Sequence, residues 1–234
     1  MNDDLRNRLQ SVDARIAEAA RAAGRDAGEL TRIVVTKFHP PELIRSLYEL
    51  GVRDIAANRQ QELSAKVDEL AGLEGLRWHA VGQVQTNKAR ALVRTAAQVP
   101  LVAHTIDRER LAHSLARALA DEEAGVLDVL VQVNLTDDPA RGGTAPADVE
   151  QLAGVIAALP TLRLRGVMAV APLDERAESA FARLAASSAA LRAVVPDATW
   201  ISAGMSGDFE IAIAAGATHL RIGSAITGNR PLPG

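Results

Sequence analysis

The sequence contains no cysteine, and only 3% of its 234 residues are aromatic. The absence of cysteine excludes disulfide bonds, thiolate chemistry and cysteine-based metal sites. No run approaches the ~20 apolar residues that cross a bilayer. The N-terminus, Met1 to Arg6, is charged and lacks the apolar segment of a signal peptide. We therefore expect a soluble cytoplasmic protein with no membrane partner.

Basic residues are also in slight deficit, since the formal net charge is -3 and no basic patch is evident. This balance argues against a nucleic-acid partner. No carboxylate–histidine cluster has the spacing of a metal site, so no metal is expected. What the sequence does contain is 48% apolar residues, mostly aliphatic, which is enough for one large α/β domain spanning residues 1–234.

One unit repeats from Leu30 onward, a short apolar β-branched run followed by a helical stretch. Alternating strands and helices imply parallel strands joined by crossovers. Eight such units predict a single (β/α)8 TIM-type barrel, with a doubly wound open sheet as the alternative. The predicted strands are 33–37, 52–58, 76–82, 99–104, 127–134, 162–170, 199–203 and 218–222.

An extra helix is predicted before the first strand, over about residues 4–23. Apolar residues recur there at spacings of three and four, which is typical of one face of an amphipathic helix. Gly24 follows as a stop signal. The residues of this face are Leu5, Leu9, Val12, Ile16 and Ala20.

Lys37 is the first candidate functional residue, because it ends a strand predicted to be buried on both faces. An unpaired buried charge is costly, so its ammonium must reach a mouth, a partner or a ligand. A lysine in such a place can form a Schiff base with an aldehyde. The alternative is a lysine that extends to solvent at the strand end.

The loops after strands seven and eight are the second candidate site. They read Ser202-Ala203-Gly204-Met205-Ser206-Gly207 and Ile222-Gly223-Ser224-Ala225. Barrels often hold phosphate between these two loops, where glycine exposes backbone N–H groups. The hydroxyls of Ser206 and Ser224 would add donors. Asp208 argues against an anion unless its carboxylate points away, and two ordinary turns are the alternative.

Arg221 lies on the eighth strand, on the same side as Gly223. If a phosphorylated pyridine ring lay at this end of the barrel, an arginine there could face the ring nitrogen and keep it unprotonated, because arginine only donates. A neutral pyridine is a poor electron sink. A surface ion pair is the alternative. His79 and His104 are expected to be satisfied or exposed histidines near strand ends.

The sequence motifs resemble those of a known family, the pyridoxal 5'-phosphate (PLP) homeostasis proteins. Seven motifs recur in the family's order between about residues 30 and 228: Thr36-Lys37, His79-Ala80-Val81-Gly82 with Gln85-Thr86-Asn87-Lys88, His104-Thr105-Ile106-Asp107, Val131-Gln132-Val133-Asn134, Leu164-Arg165-Gly166-Val167-Met168-Ala169, Ser202 to Asp208 and Arg221 to Ile226.

The resemblance implies the barrel of the alanine racemase N-terminal domain, with PLP held as a Schiff base on Lys37. It implies no established reaction and no catalytic residue. It places Ser206, Gly223 and Ser224 at the phosphate and Arg221 at the ring nitrogen, with Ser202 and Met205 in the same loop. Where the family usually has Gly-Glu-Asn, this chain has Ala56-Ala57-Asn58, so only Asn58 is kept. The glutamate near the cofactor is missing, and this side of the cofactor site is expected to be less acidic.

The first functional hypothesis is therefore a monomeric carrier that holds PLP and passes it to PLP-dependent apoenzymes. The second is a PLP-dependent racemase or decarboxylase. Racemisation needs a second base, which alanine racemases take from a further domain for which these 234 residues leave no room, and the only tyrosine, Tyr48, is expected on a helix away from the mouth. The third is an aldolase-like enzyme that uses Lys37 on a sugar phosphate.

Overall fold

Eight parallel strands close into one barrel in the computed structural model, which describes residues 2–228. Each strand pairs with its neighbour in sequence, and the last pairs with the first. The strands are β1 Thr31–Val35, β2 Asp54–Ala57, β3 Arg77–Ala80, β4 Leu101–Ile106, β5 Leu127–Gln132, β6 Leu162–Met168, β7 Trp200–Ser202 and β8 His219–Ile222.

Helices surround the sheet and connect its strands. They are α1 Asn2–Ala22, α2 Pro41–Glu49, α3 Gln60–Glu69, α4 Ala89–Ala96, α5 Glu109–Asp121, α6 Val149–Ala157, α7 Ala177–Val194, α8 Phe209–Ala214 and α9 Ser224–Thr227. Short 3-10 helices cover Ala27–Glu29, Thr86–Lys88, Pro139–Arg141 and Pro146–Asp148. The predicted barrel is confirmed; Met1 and residues 229–234 of the predicted single domain lie outside the described residues.

Two strand boundaries differ from the prediction in ways that matter for the site. β1 ends at Val35 rather than at Lys37, because the chain turns after Thr36 and leaves the sheet. β4 starts at Leu101, after Pro100, whose nitrogen cannot donate to a ladder, and continues to Ile106. His104 therefore lies inside a strand and not at its end.

Side chains alternate between the two faces of the barrel wall, as expected for strands. The outward-facing apolar residues form one continuous core with the helices. The interior holds a separate small apolar cluster of Val102, Leu130 and Met168, against which Trp200 packs. The remaining interior positions include polar side chains, which extend from the candidate site into the barrel. They are Asp54 on β2, His79 on β3, His104 on β4, Ser202 on β7 and Arg221 on β8.

The extra helix α1 packs against α8 and the short α9. Its predicted apolar face is confirmed, because Leu5, Leu9, Val12, Ile16 and Ala20 are all buried. The Nε of Arg8 also donates to the carbonyl of Ile226 at 2.7 Å. Since α9 has only four residues, α1 covers the side of the barrel that a longer helix after β8 would cover.

No helix within residues 2–228 has the length and apolar character needed to span a bilayer.

Gly166 marks a bulge in β6. The pairing with β5 passes from Val129–Leu164 to Leu130–Gly166 and so skips Arg165. Gly166 has a φ of 153°, and a β-carbon built there would lie 1.8 Å from the carbonyl oxygen of Trp200. Any other residue at this position must therefore move β6 away from β7.

We predict that Gly166→Ala lowers the free energy of unfolding by at least about 2 kcal/mol, because of this backbone clash. The matched control is Gly154→Ala in the middle of α6, where an added β-carbon meets no atom within 4 Å. That substitution should stabilise the protein by about 0.5–1 kcal/mol. Urea unfolding of both variants tests the pair, and equal effects would contradict the bulge argument.

Candidate functional site

The candidate site lies at the carboxyl ends of the strands, where the closed sheet brings the two ends of the sequence together. β8 pairs with β1 through Arg221–Ile33 and Ile222–Val34. One residue further, a β-carbon built on Gly223 would lie 3.7 Å from the carbonyl oxygen of Val35. The segment leading to Lys37 therefore borders the loop after β8, which in turn borders the loop after β7.

Lys37 follows β1 by two residues, and its side chain is exposed. Its Nζ lies 6.0 Å from the centre of the Phe38 ring. Phe38 has a φ of 68°, a left-handed conformation that costs a residue other than glycine about 1–2 kcal/mol. The reactive-lysine candidate is thus followed at once by a strained backbone turn, a feature that concentrates at functional sites.

The loops after β7 and β8 contact each other directly. The Oγ of Ser206 accepts a hydrogen bond from the backbone N–H of Ala225 at 3.2 Å. Gly204 has a φ of 87°, and a β-carbon there would lie 2.8 Å from the Cα of Phe209. The loop after β7 is thus packed closely against the start of α8.

Several backbone donors of these loops have no acceptor among residues 2–228. They are the N–H groups of Ser206, Gly207, Gly223 and Ser224. The carboxylate of Asp208 accepts from the N–H of Met205 at 2.6 Å, so it is turned onto its own loop. The paired loops thus present amide and hydroxyl donors, the groups that bind a phosphate.

Arg221 is a buried cation on the inner face of β8, with only 5% of its surface exposed. Its Nη1 donates to the Oγ of Ser202 and its Nη2 to the carbonyl of Ala169, both at 2.7 Å. No carboxylate in the described part of the chain forms an ion pair with it. Burial lowers the pKa of Arg221 to about 10, opposed by the charge of Asp208, so it stays protonated at neutral pH.

A chain of hydrogen bonds runs from Arg221 through the barrel interior to Asp54. His104 Nδ1 lies 3.0 Å from Ser202 Oγ, His104 Nε2 lies 2.8 Å from His79 Nδ1, and His79 Nε2 lies 2.9 Å from Asp54 Oδ1. A guanidinium only donates and a carboxylate only accepts, so both ends fix the direction of the chain. Ser202 donates to His104, His104 to His79, and His79 to Asp54.

The two histidines of this chain are neutral. Burial lowers the pKa of His104 well below its ordinary value, and the charge of Arg221, together with that of His79 when its ring is protonated, lowers it further. Burial also lowers the pKa of His79, although its bond to Asp54 opposes this. Burial alone would raise the pKa of Asp54, but the hydrogen bond from His79 and the nearby positive charges outweigh it, and the pKa falls.

All eight residues predicted to bind the cofactor belong to the strand ends or loops on one side of the barrel. Ser202 is fully buried beneath Arg221, whereas Met205 and Asn58 are exposed at the rim. The backbone of Asn58 packs closely on Gly82. A β-carbon built on Gly82 would lie 1.7 Å from the carbonyl oxygen of Asn58. The eight are Lys37, Asn58, Ser202, Met205, Ser206, Arg221, Gly223 and Ser224.

The expectation that His79 and His104 are satisfied is confirmed, but their connection to Arg221 was missed. Strand alternation could have indicated this connection, because the residues of the hydrogen-bonded series from Arg221 to Asp54 all occupy inward-facing strand positions. Tyr48 lies in the last turn of α2, as expected, where its hydroxyl donates to the carbonyl of Glu74. Among residues 2–228, no group of three or more His, Asp or Glu side chains has the arrangement of a metal site.

Comparison with known proteins identifies the family. Residues 9–231 match the family described as alanine racemase, N-terminal domain. The pyridoxal phosphate homeostasis protein of Mycobacterium tuberculosis is 39% identical, covering 98% of this chain and 94% of that protein. The chain belongs to the pyridoxal phosphate homeostasis protein family.

Solved structures agree with this family assignment. The structure of PipY, from Synechococcus elongatus, with PLP bound is 35% identical and covers 91% of this chain and all of that one, with a TM-score of 0.79. Alanine racemase of Clostridium difficile is 16% identical and shares the fold alone, with a TM-score of 0.72. The match with this alanine racemase covers 98% of the present chain and 58% of the alanine racemase chain. The resemblance inferred from seven motifs is therefore confirmed for this member of the pyridoxal phosphate homeostasis family.

The buried histidines predict a loss of stability in mild acid. Burial lowers the pKa of His219 to about 3 from an ordinary value near 6.5, so the unfolded chain takes up its proton first as the pH falls. The stabilisation is complete above pH 6.5 and declines below it, by about 2 kcal/mol for His219 alone at pH 5. His79 and His104 contribute in the same direction.

Urea unfolding between pH 7 and pH 5 measures this dependence. His219→Gln should reduce it by about 2 kcal/mol between pH 7 and pH 5, because glutamine does not titrate, whereas His113→Gln on the exposed face of α5 should leave it unchanged. An unfolding free energy that stays constant over this range would contradict the placement of neutral histidines in the barrel.

Proposed function

We propose that this chain binds pyridoxal 5'-phosphate and buffers it or delivers it to other proteins. One observation carries the proposal. An exposed amine, Lys37, follows β1, and a buried guanidinium without a described carboxylate partner, Arg221, lies on β8, the strand that pairs with β1. The names of the family's members and the PLP-bound structure of PipY support the same cofactor.

The donor set of the mouth fits an anionic pyridine aldehyde. Lys37 would hold the aldehyde carbon as a Schiff base. The hydroxyl and amide donors of Ser206, Gly223 and Ser224 suit the phosphate. Arg221 would face the ring nitrogen, with Ser202 holding the guanidinium from below. Asn58 and Met205 would line the rim.

Arg221 also indicates which chemistry the site favours. Bound PLP supplies an aldehyde that condenses with amines and, when its ring nitrogen is protonated, an electron sink. Arg221 has no proton acceptor to offer, and its hydrogen-bonded chain ends on a carboxylate that keeps every donor pointing the same way. The residues of this mouth therefore favour holding the cofactor over stabilising a carbanion.

A racemase or decarboxylase is the second candidate, supported by the shared barrel of alanine racemase. Racemisation needs two bases on opposite faces of the substrate. Tyr48, the only tyrosine of the sequence, lies in the last turn of α2 and donates to Glu74. Turnover of a panel of amino acids by the PLP-loaded protein would favour this candidate over the carrier.

We further propose that PLP-dependent apoenzymes receive the cofactor at this mouth. Four large apolar side chains are exposed on loops at the carboxyl ends of the strands, where a partner protein would dock. They are Phe38, Val170, Leu173 and Met205. The monomeric state and the cytoplasmic location expected from the sequence stay predictions.

Lys37→Ala should abolish covalent attachment of PLP but leave weaker, phosphate-dependent binding, because the loop donors remain. The measurement is the absorbance of the protein with added PLP, followed by borohydride reduction and mass analysis of the modified peptide. Lys88→Ala, at another exposed lysine of the same end of the barrel, is the control and should behave as the unmodified chain. A reduced adduct in Lys37→Ala would contradict the assignment. A sugar phosphate trapped on Lys37 in place of PLP would favour the aldolase-like alternative.

Arg221→Glu should change the absorption spectrum of the bound cofactor, because a carboxylate accepts a hydrogen bond and leaves the ring nitrogen protonated. Ser202→Ala removes the Nη1 contact and the bond to His104 but keeps the guanidinium, so it should give a smaller change. Circular dichroism verifies that both variants fold. A spectrum identical to that of the parent protein in folded Arg221→Glu would place Arg221 away from the ring.

A further inference from the structure

Two charged residues of α3 bind the backbone on both sides of Lys37. The Nζ of Lys66 donates to the carbonyl of Thr36 at 2.8 Å. The Oε1 of Glu62 accepts from the backbone N–H of Phe38 at 3.1 Å. The two side chains are joined by an ion pair of 2.6 Å, so one connected group holds the residues immediately before and after Lys37.

This ion pair is buried, with 5% of the Lys66 side chain and 20% of the Glu62 side chain exposed. Leu63 and Val67, on the same helix, are buried apolar residues that attach α3 to the core. A buried ion pair adds little stability beyond what an apolar pair of similar volume provides, because both charges lose their water. Packing alone therefore does not explain why α3 carries charges here.

The backbone that the pair holds is in an unfavourable conformation. Phe38 adopts a left-handed φ of 68°, and the N–H of His39 donates to Thr36 at 3.1 Å to close the turn. Such a conformation persists only where surrounding contacts enforce it. Glu62 supplies one such contact at Phe38, and Lys66 supplies another at Thr36. The side chain of Lys37 leaves this turn exposed at the mouth.

We propose that Glu62 and Lys66 are positioning residues for the amine of Lys37. By fixing the peptide groups on either side, they restrict where the lysine side chain starts and so hold its nitrogen near the aldehyde that the site would bind. A misplacement of about 1 Å is enough to slow a reaction between two groups. The inference rests on the proposed function, because it assigns Lys37 as the reacting amine.

The test is the double variant Glu62→Gln/Lys66→Met, which removes both charges and leaves no unpaired buried ion. We expect covalent attachment of PLP to Lys37 to be about tenfold slower, followed by stopped-flow absorbance and by mass analysis after borohydride reduction. Affinity for pyridoxine 5'-phosphate should stay unchanged, because this ligand has the ring and the phosphate but no aldehyde.

Glu69→Gln is the matched control, the same substitution at an exposed position of the same helix, and it should attach PLP at the parent rate. Hydrogen exchange without any ligand gives a second measurement. The amides of Phe38 and His39 should exchange faster in the double variant than in the parent and in Glu69→Gln.

Three results would overturn the proposal. Attachment at the parent rate would show that the pair does not position the amine. An equal loss of affinity for pyridoxine 5'-phosphate would assign the pair a general structural role. Unchanged amide exchange would show that the backbone does not depend on it. If the parent chain forms no PLP adduct at all, the proposed function fails and the positioning role with it, while amide exchange still reports whether the pair holds the turn.

Discussion

The pairing of β8 with β1 is the constraint on which the rest of this site depends. An open sheet would leave Lys37 and Arg221 at opposite ends of the chain and at opposite edges of the sheet. Closure makes their strands neighbours, with Ile33 beside Arg221 and Val35 beside Gly223. The amine, the guanidinium and the loops that carry the amide and hydroxyl donors then lie at the same end of the barrel. Helix α1 packs against α8 and α9 and so covers the outer side of the barrel near the β8–β1 pairing.

The barrel interior is built to support a buried cation. Arg221 forms no ion pair within the described residues; the opposing charge is that of Asp208, and hydrogen bonds connect the guanidinium through Ser202, His104 and His79 to Asp54. Every proton in this chain has a defined place, because the guanidinium only donates and the carboxylate only accepts. Such a network is rigid when all its members are satisfied. It explains how polar side chains occupy the inside of a barrel that is otherwise filled by aliphatic residues.

The two nitrogen groups of the mouth are held in different ways. Arg221 is rigid, buried and tied to two acceptors, whereas Lys37 has an exposed side chain on a turn whose peptide groups are tied to α3. A buried, fixed donor and an exposed amine suit a site that holds a ligand by its ring and reacts with its aldehyde. This chain lacks the glutamate that the family has beside Asn58. Glu62 nevertheless places a carboxylate near the turn after β1, and the charge of Glu62 is neutralised by Lys66.

Much of this architecture was predictable, because strand–helix alternation and the motifs around Lys37, Ser206 and Arg221 are local in sequence. The apolar face of α1 and the alternation of strands and helices follow from periodicity, whereas a doubly wound sheet would have had the same alternation with another strand order. Strand ends were less predictable, since Pro100 and the turn after Thr36 depend on pairing partners. The contacts of His79, and those of Lys66 and Glu62 with the turn after β1, could not be predicted, because each joins residues at least two elements apart. Local patterns thus determined the fold and the candidate residues, while the register of the closed sheet decided which polar groups meet.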